Sequence, residues 1–108
     1  MKRICDLGEL PRAGGRAFAV DGADVAVLCT PDGVRAFRNV CPHQGRSMDF
    51  APGELLFTPA GLLMCPHHGA CFDPATGACT EGPCRGAALT SLETVRRDGA
   101  LWLVDGNP

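Results

Sequence analysis

The run Arg16-Ala17-Phe18-Ala19-Val20-Asp21-Gly22-Ala23-Asp24-Val25-Ala26-Val27-Leu28-Cys29-Thr30-Pro31-Asp32-Gly33-Val34-Arg35-Ala36-Phe37-Arg38 holds three apolar segments separated by two turn signals. Asp-Gly between β-prone segments predicts a hairpin, because both residues tolerate the positive φ of a type I′ turn. The pattern returns near the end. There Ser91-Leu92-Glu93-Thr94-Val95 alternates apolar and polar, Asp98-Gly99 turns, and Leu101-Trp102-Leu103-Val104 follows. No window sustains a 3.6-residue apolar period, so the chain reads as all-β.

The length of 108 residues fits one domain with a single core. Lys and Arg number 10 against 12 Asp and Glu, a net charge of −2, which argues against a nucleic-acid partner or an anionic membrane surface. Hydrophobic residues at 45% and charged residues at 20% exclude a disordered chain. Met1-Lys2-Arg3-Ile4-Cys5-Asp6 turns acidic before any apolar run forms, so no secretory signal is read there. Apolar runs such as Val25–Cys29 are far short of the about 20 residues a membrane helix needs. The expected location is the cytoplasm, where the seven cysteines stay reduced as buried small residues, metal ligands or catalytic thiols.

The middle of the chain has a different character. Residues 39–86 hold six of the nine prolines, five of the seven cysteines and all three histidines. One β-like pair interrupts them: Glu54–Phe57 and Leu62–Met64, joined by Thr58-Pro59-Ala60-Gly61. The expected layout is a single domain with a base sheet from about 1–38 and 87–108 and a loop-rich subdomain at about 39–86.

Within that insert, Cys41-Pro42-His43-Gln44-Gly45 and Cys65-Pro66-His67-His68-Gly69 each place a thiol and an imidazole within three positions, followed by glycine. Proline restricts such a loop, and glycine relieves crowding where backbone approaches a cofactor. Two Cys and two His suit structural zinc or a [2Fe–2S] centre with two histidines on one iron. Zinc sites more often use Cys-x2–4-Cys knuckles and His-x3–5-His pairs, which are absent. One Cys and one His in each of two loops favours the mixed-ligand cluster.

The two boxes resemble those of the Rieske iron–sulfur proteins in their small ferredoxin form. Phe72-Asp73, Thr76-Gly77 and Gly82-Pro83 resemble the family's downstream pattern, in which a Gly-Pro loop covers the cluster. The resemblance covers about residues 3–104 and implies an antiparallel β sandwich or barrel with an inserted cluster-binding subdomain. It further implies one [2Fe–2S] cluster per chain, with Cys41 and Cys65 on one iron and His43 and His68 on the other. His67 is the neighbouring alternative, but the family spacing selects His68. Neutral imidazoles in place of two thiolates make the centre less negative, which raises its potential.

Departures from the family pattern narrow the subtype. Arg46 and His67 stand where respiratory members carry a disulfide-forming pair of cysteines, so no disulfide forms beside the cluster. Ala70 and Phe72 replace a Ser and a Tyr whose hydroxyls stabilise the reduced state, which sets the expected potential low, around −150 mV. The 21 residues between His43 and Cys65 exceed the usual ferredoxin spacing, and the excess falls in Ser47–Pro52. The resemblance implies an electron carrier, not a catalyst, between an NAD(P)H-dependent flavoprotein reductase and a terminal oxygenase. The rival reading is an accessory subunit of a larger redox enzyme, such as an assimilatory nitrite reductase. Cys5, Cys29, Cys71, Cys79 and Cys84 are expected as reduced, partly buried residues. Cys79 and Cys84 flank a short loop and could meet, but a cytoplasmic location argues against their oxidation. Met48, Phe50 and Trp102 are expected to pack inside.

Overall fold

The computed structural model describes residues 1–42 and 45–107. Its order is β1 (Lys2–Asp6), a 3-10 turn (Leu7–Glu9), β2 (Gly14–Val20), β3 (Ala23–Thr30) and β4 (Gly33–Arg38). The middle follows with β5 (Asp49–Ala51), β6 (Glu54–Phe57), β7 (Leu63–Met64), β8 (Cys71–Phe72) and β9 (Cys79–Glu81). The chain closes with β10 (Ser91–Leu92), β11 (Thr94–Arg97) and β12 (Ala100–Leu103). The all-β expectation holds.

Local chemistry explains the turns. Asp21 and Gly22 have φ of 52° and 85°, and Asp98 and Gly99 have 55° and 73°, the double positive φ that a type I′ hairpin requires. The Thr58–Gly61 turn closes as read, with Thr58 N–H on Leu62 O at 2.9 Å and Leu62 N–H on Thr58 Oγ1 at 3.1 Å.

All strand pairs are antiparallel. One sheet runs β1-β12-β11; the larger, curled sheet runs β10-β4-β3-β2-β6-β7-β8-β9, with β5 beside β6. A single register pair, Arg16 with Glu54, joins the long hairpins β2–β4 to the short strands of the middle segment.

Strand β3 is buried on both faces, which accounts for its unbroken apolar run. Ala26 and Leu28 face one core with Phe37, Met48, Leu63, Phe72, Cys41 and Cys65. Val25 and Val27 face the other with Ile4, Val20, Ala36, Leu92 and Leu101. Each large apolar side chain so buried contributes about 1.5–3 kcal/mol.

Met48 is buried as expected, but Phe50 is 56% exposed. Residue 50 lies on β5, which pairs with β6 at one side only, and its ring borders a shallow groove with Pro11, Leu55 and Phe57. Trp102 is half-buried; its Nε1–H donates to Arg97 O at 3.0 Å and the Arg97 guanidinium lies 6.0 Å from its ring.

Candidate metal centre

Among the described residues, the two boxes are closed by the same pair of backbone hydrogen bonds. In the first, Cys41 N–H donates to Arg46 O and Gly45 N–H to Cys41 O, both at 2.7 Å. In the second, Cys65 N–H donates to Ala70 O at 2.8 Å and Gly69 N–H to Cys65 O at 3.0 Å. Each loop needs its fifth residue in the left-handed region, and glycine supplies it: φ is 69° at Gly45 and 73° at Gly69. In each box the cysteine precedes a proline, a position biased toward extended backbone.

This geometry brings together the two cysteines that the sequence singled out. Both are 2% exposed, and their sulfurs lie within hydrogen-bonding reach of each other. Burial pushes the Cys65 thiol up, and the neighbouring Cys41 adds to this. The backbone N–H groups of His67 and His68 pull the other way by donating to its sulfur. Sulfur that is buried, paired and met by N–H donors suits a metal-bound thiolate.

His68 lies on the exposed outer turn of the second loop, as does His67. His43 lies outside the described residues, so the fourth expected ligand has no position here. Among the described residues alone, no group of three or more His, Cys, Asp or Glu side chains is arranged to hold a metal ion. The two buried sulfurs nonetheless fit the thiolate half of a cluster.

Two further residues complete the surroundings, and sequence reading missed the role of both. Asn39 is buried; its Nδ2–H donates to Asp49 Oδ1 at 2.9 Å and its Oδ1 accepts Met48 N–H at 2.8 Å, closing the base of the first loop. The only local signal is a short amide-bearing residue at a strand end, which is common in turns. Cys84 sits beneath the 82–83 turn, its Sγ donating to Cys79 Sγ at 2.9 Å and within reach of Cys41 Sγ. Burial, with Cys79 and Cys41 beside it, pushes the Cys84 thiol up to about 12. All seven cysteines are free thiols in this structure, the Cys79–Cys84 pair included.

The turn over the site is held down by glycine. A Cβ on Gly82 would lie 2.8 Å from Ala70 Cα and 3.2 Å from Gly69 O, so the 82–83 turn rests directly on the backbone of the second loop.

With this geometry in view, similarity to known proteins can be stated. The Rieske [2Fe-2S] domain model matches residues 1–96. The chain belongs to the Rieske [2Fe–2S] domain family. Members of that family bind a [2Fe–2S] cluster, and the buried thiols of Cys41 and Cys65 are of the donor type such a cluster takes.

Its sequence is 36% identical over 91 residues to the oxygenase component of dicamba O-demethylase from Stenotrophomonas maltophilia, covering 78% of this chain and 25% of that protein. The Rieske domain spans a quarter or less of the length of the curated relatives it matches. Among solved structures it is similar to the ferredoxin of carbazole 1,9a-dioxygenase from Nocardioides aromaticivorans IC177. There the TM-score is 0.75 and the identity 29%, with 94% of each chain covered. A structure described as a complex of reduced oxygenase and oxidized ferredoxin in carbazole 1,9a-dioxygenase shares the fold, with a TM-score of 0.73 at 22% identity. No helix among the described residues is long and apolar enough to cross a membrane.

Proposed function

We propose that this Rieske domain carries single electrons from a flavoprotein reductase to a terminal oxygenase, through a cluster held by Cys41 and Cys65 on one iron and His43 and His68 on the other. The observation that carries the reading is its near end-to-end superposition on a dioxygenase ferredoxin, with 94% of both chains covered. When bound, the cluster supplies a one-electron redox couple.

The protein's own groups divide the remaining work. The pocket around Cys41 and Cys65 excludes water from the thiolate side. The N–H groups of His67 and His68 compensate negative charge on Cys65 Sγ. His68, on the exposed turn, presents the imidazole side to a partner, and exposed Val40 beside the first loop adds an apolar contact. Such a face suits a small, transient encounter.

The test is anaerobic absorption and EPR spectroscopy of purified protein before and after dithionite, followed by reduction through an NADH-dependent flavoprotein reductase. The expected result is a red-brown protein whose EPR signal appears on reduction. A colourless, EPR-silent protein containing zinc would defeat the reading. Replacing His68 with Ala should abolish the cluster while His67→Ala retains it; the opposite pair of results reassigns the ligand to His67.

A further inference from the structure

Cys84 occupies a place that no ligand box requires. Gly82 rests on the Gly69–Ala70 backbone, and the chain two residues later drops a buried thiol beside Cys41. Its other neighbour is Cys79, at 2.9 Å, whose own S–H is committed to Glu81 O at 3.3 Å. Cys79 therefore offers Cys84 only the lone pairs of a neutral thiol. A metal-bound Cys41 offers a negatively charged sulfur, and hydrogen bonds to charged acceptors are about twice as strong as neutral ones. Cys84 has one proton to give, and the stronger acceptor takes it.

We propose that Cys84 is a positioning residue for electron transfer: its S–H donates to the sulfur of Cys41 and, by stabilising negative charge there, favours the reduced state. The inference rests on Cys41 being a cluster ligand. It supplies a donor from the 82–83 turn on a site whose positions 70 and 72 hold fully buried Ala and Phe, neither of which can donate from its side chain. Hydrogen bonds to the sulfurs are among the determinants of such potentials.

The test compares wild type, Cys84→Ala and Cys84→Ser as cluster-loaded proteins by redox titration and by Fe–S vibrational spectra in H2O and D2O. Cys84→Ala should make reduction several-fold less favourable, up to about tenfold, which is about 59 mV for one electron. Cys84→Ser, which keeps a donor, should recover part of that loss. The Fe–S stretch to Cys41 should be deuterium-sensitive in wild type and Cys84→Ser but not in Cys84→Ala, whereas the stretch to Cys65, whose sulfur takes the His67 and His68 N–H groups, should be sensitive in all three.

An unchanged potential in Cys84→Ala overturns the proposal, as does an equal fall in both variants. Should Cys84→Ala fail to hold the cluster, wild type and Cys84→Ser decide: deuterium sensitivity of the stretch to Cys41 in both supports the role, and its absence from wild type overturns it. A wild-type protein with a cluster but no isotope shift in the stretch to Cys41 removes the role of Cys84 and leaves the ligand assignment standing. A wild-type protein with no cluster removes both.

Discussion

Asn39 closes the first loop with both ends of one carboxamide, accepting from Met48 and donating to Asp49. Asn39→Ala leaves the buried Met48 N–H without its acceptor, a loss of about 1–3 kcal/mol that denaturant unfolding would measure. Its partner Asp49 gives the same contact a pH signature. Burial alone would raise the Asp49 carboxyl, but hydrogen bonds from Asn39, Ser47 and backbone amides hold it below the ordinary value of 3.8. A folded value below the unfolded one means that the stabilisation is complete above the ordinary value and is lost as pH falls through the folded value. Asp49→Asn should therefore be less stable than wild type at neutral pH and lose less stability between about pH 5 and pH 2. Parallel acid titrations of the two proteins with equal slopes would sink the assignment.

The recurring element is a six-residue span closed by the same two backbone hydrogen bonds, found three times among the described residues. Residues 73–78 repeat the geometry of the two boxes, with Asp73 N–H on Ala78 O at 2.9 Å and Gly77 N–H on Asp73 O at 2.7 Å. Gly77 again has a positive φ, 80°. Here Asp73 holds the cysteine's place, and its Oδ1 accepts Ala75 N–H at 2.8 Å. The boxes were legible because cysteine, histidine and glycine announce their roles within five residues. The third loop hides the same backbone behind a different first residue. The Asp21-Gly22 and Asp98-Gly99 hairpins were legible for a similar reason, since their turn type follows from two adjacent residues, whereas Gly33 already pairs with Thr30 and the β3–β4 turn falls on Pro31-Asp32. Cys84 and Asn39 act through packing instead: the contact of Cys84 with Cys41 spans 43 positions and exists only because Gly82 lies on Ala70. Phe50 was misread because an apolar residue does not reveal an irregular pairing: the register of β5 with β6 shifts between Asp49 and Ala51, and the residue between them is left exposed. Gly82 also carries a test. Gly82→Ala puts a Cβ against backbone that cannot rotate away and strains a φ of 93°, for a cost of about 1–3 kcal/mol. A chelator should bleach this variant faster than wild type; matching bleaching rates and stabilities would show that the turn can lift without consequence.

Across the whole molecule, β3 and β4 separate two cores that differ in what completes them. Val25, Val27 and Ala36 pack with Ile4, Cys5, Val20, Leu92 and Leu101, a set drawn from the two ends of the chain. Ala26, Leu28 and Phe37 pack with the two proposed thiolate ligands and the short strands β7 to β9, which pair over only two or three residues each. Short ladders tie down little backbone, so this side depends more on anything bound between Cys41 and Cys65. A ligand that binds only the folded site adds its binding free energy to the unit that contains the site. Removing the cluster should therefore release amides in 45–46, 65–70 and 79–85 by local opening, while β1, β11, β12 and the β2–β4 hairpins keep theirs. Hydrogen exchange followed by mass spectrometry, on loaded and chelator-stripped protein, distinguishes this from a single cooperative unit. Uniform loss of protection across both cores would mean that β3 transmits the loss instead of confining it.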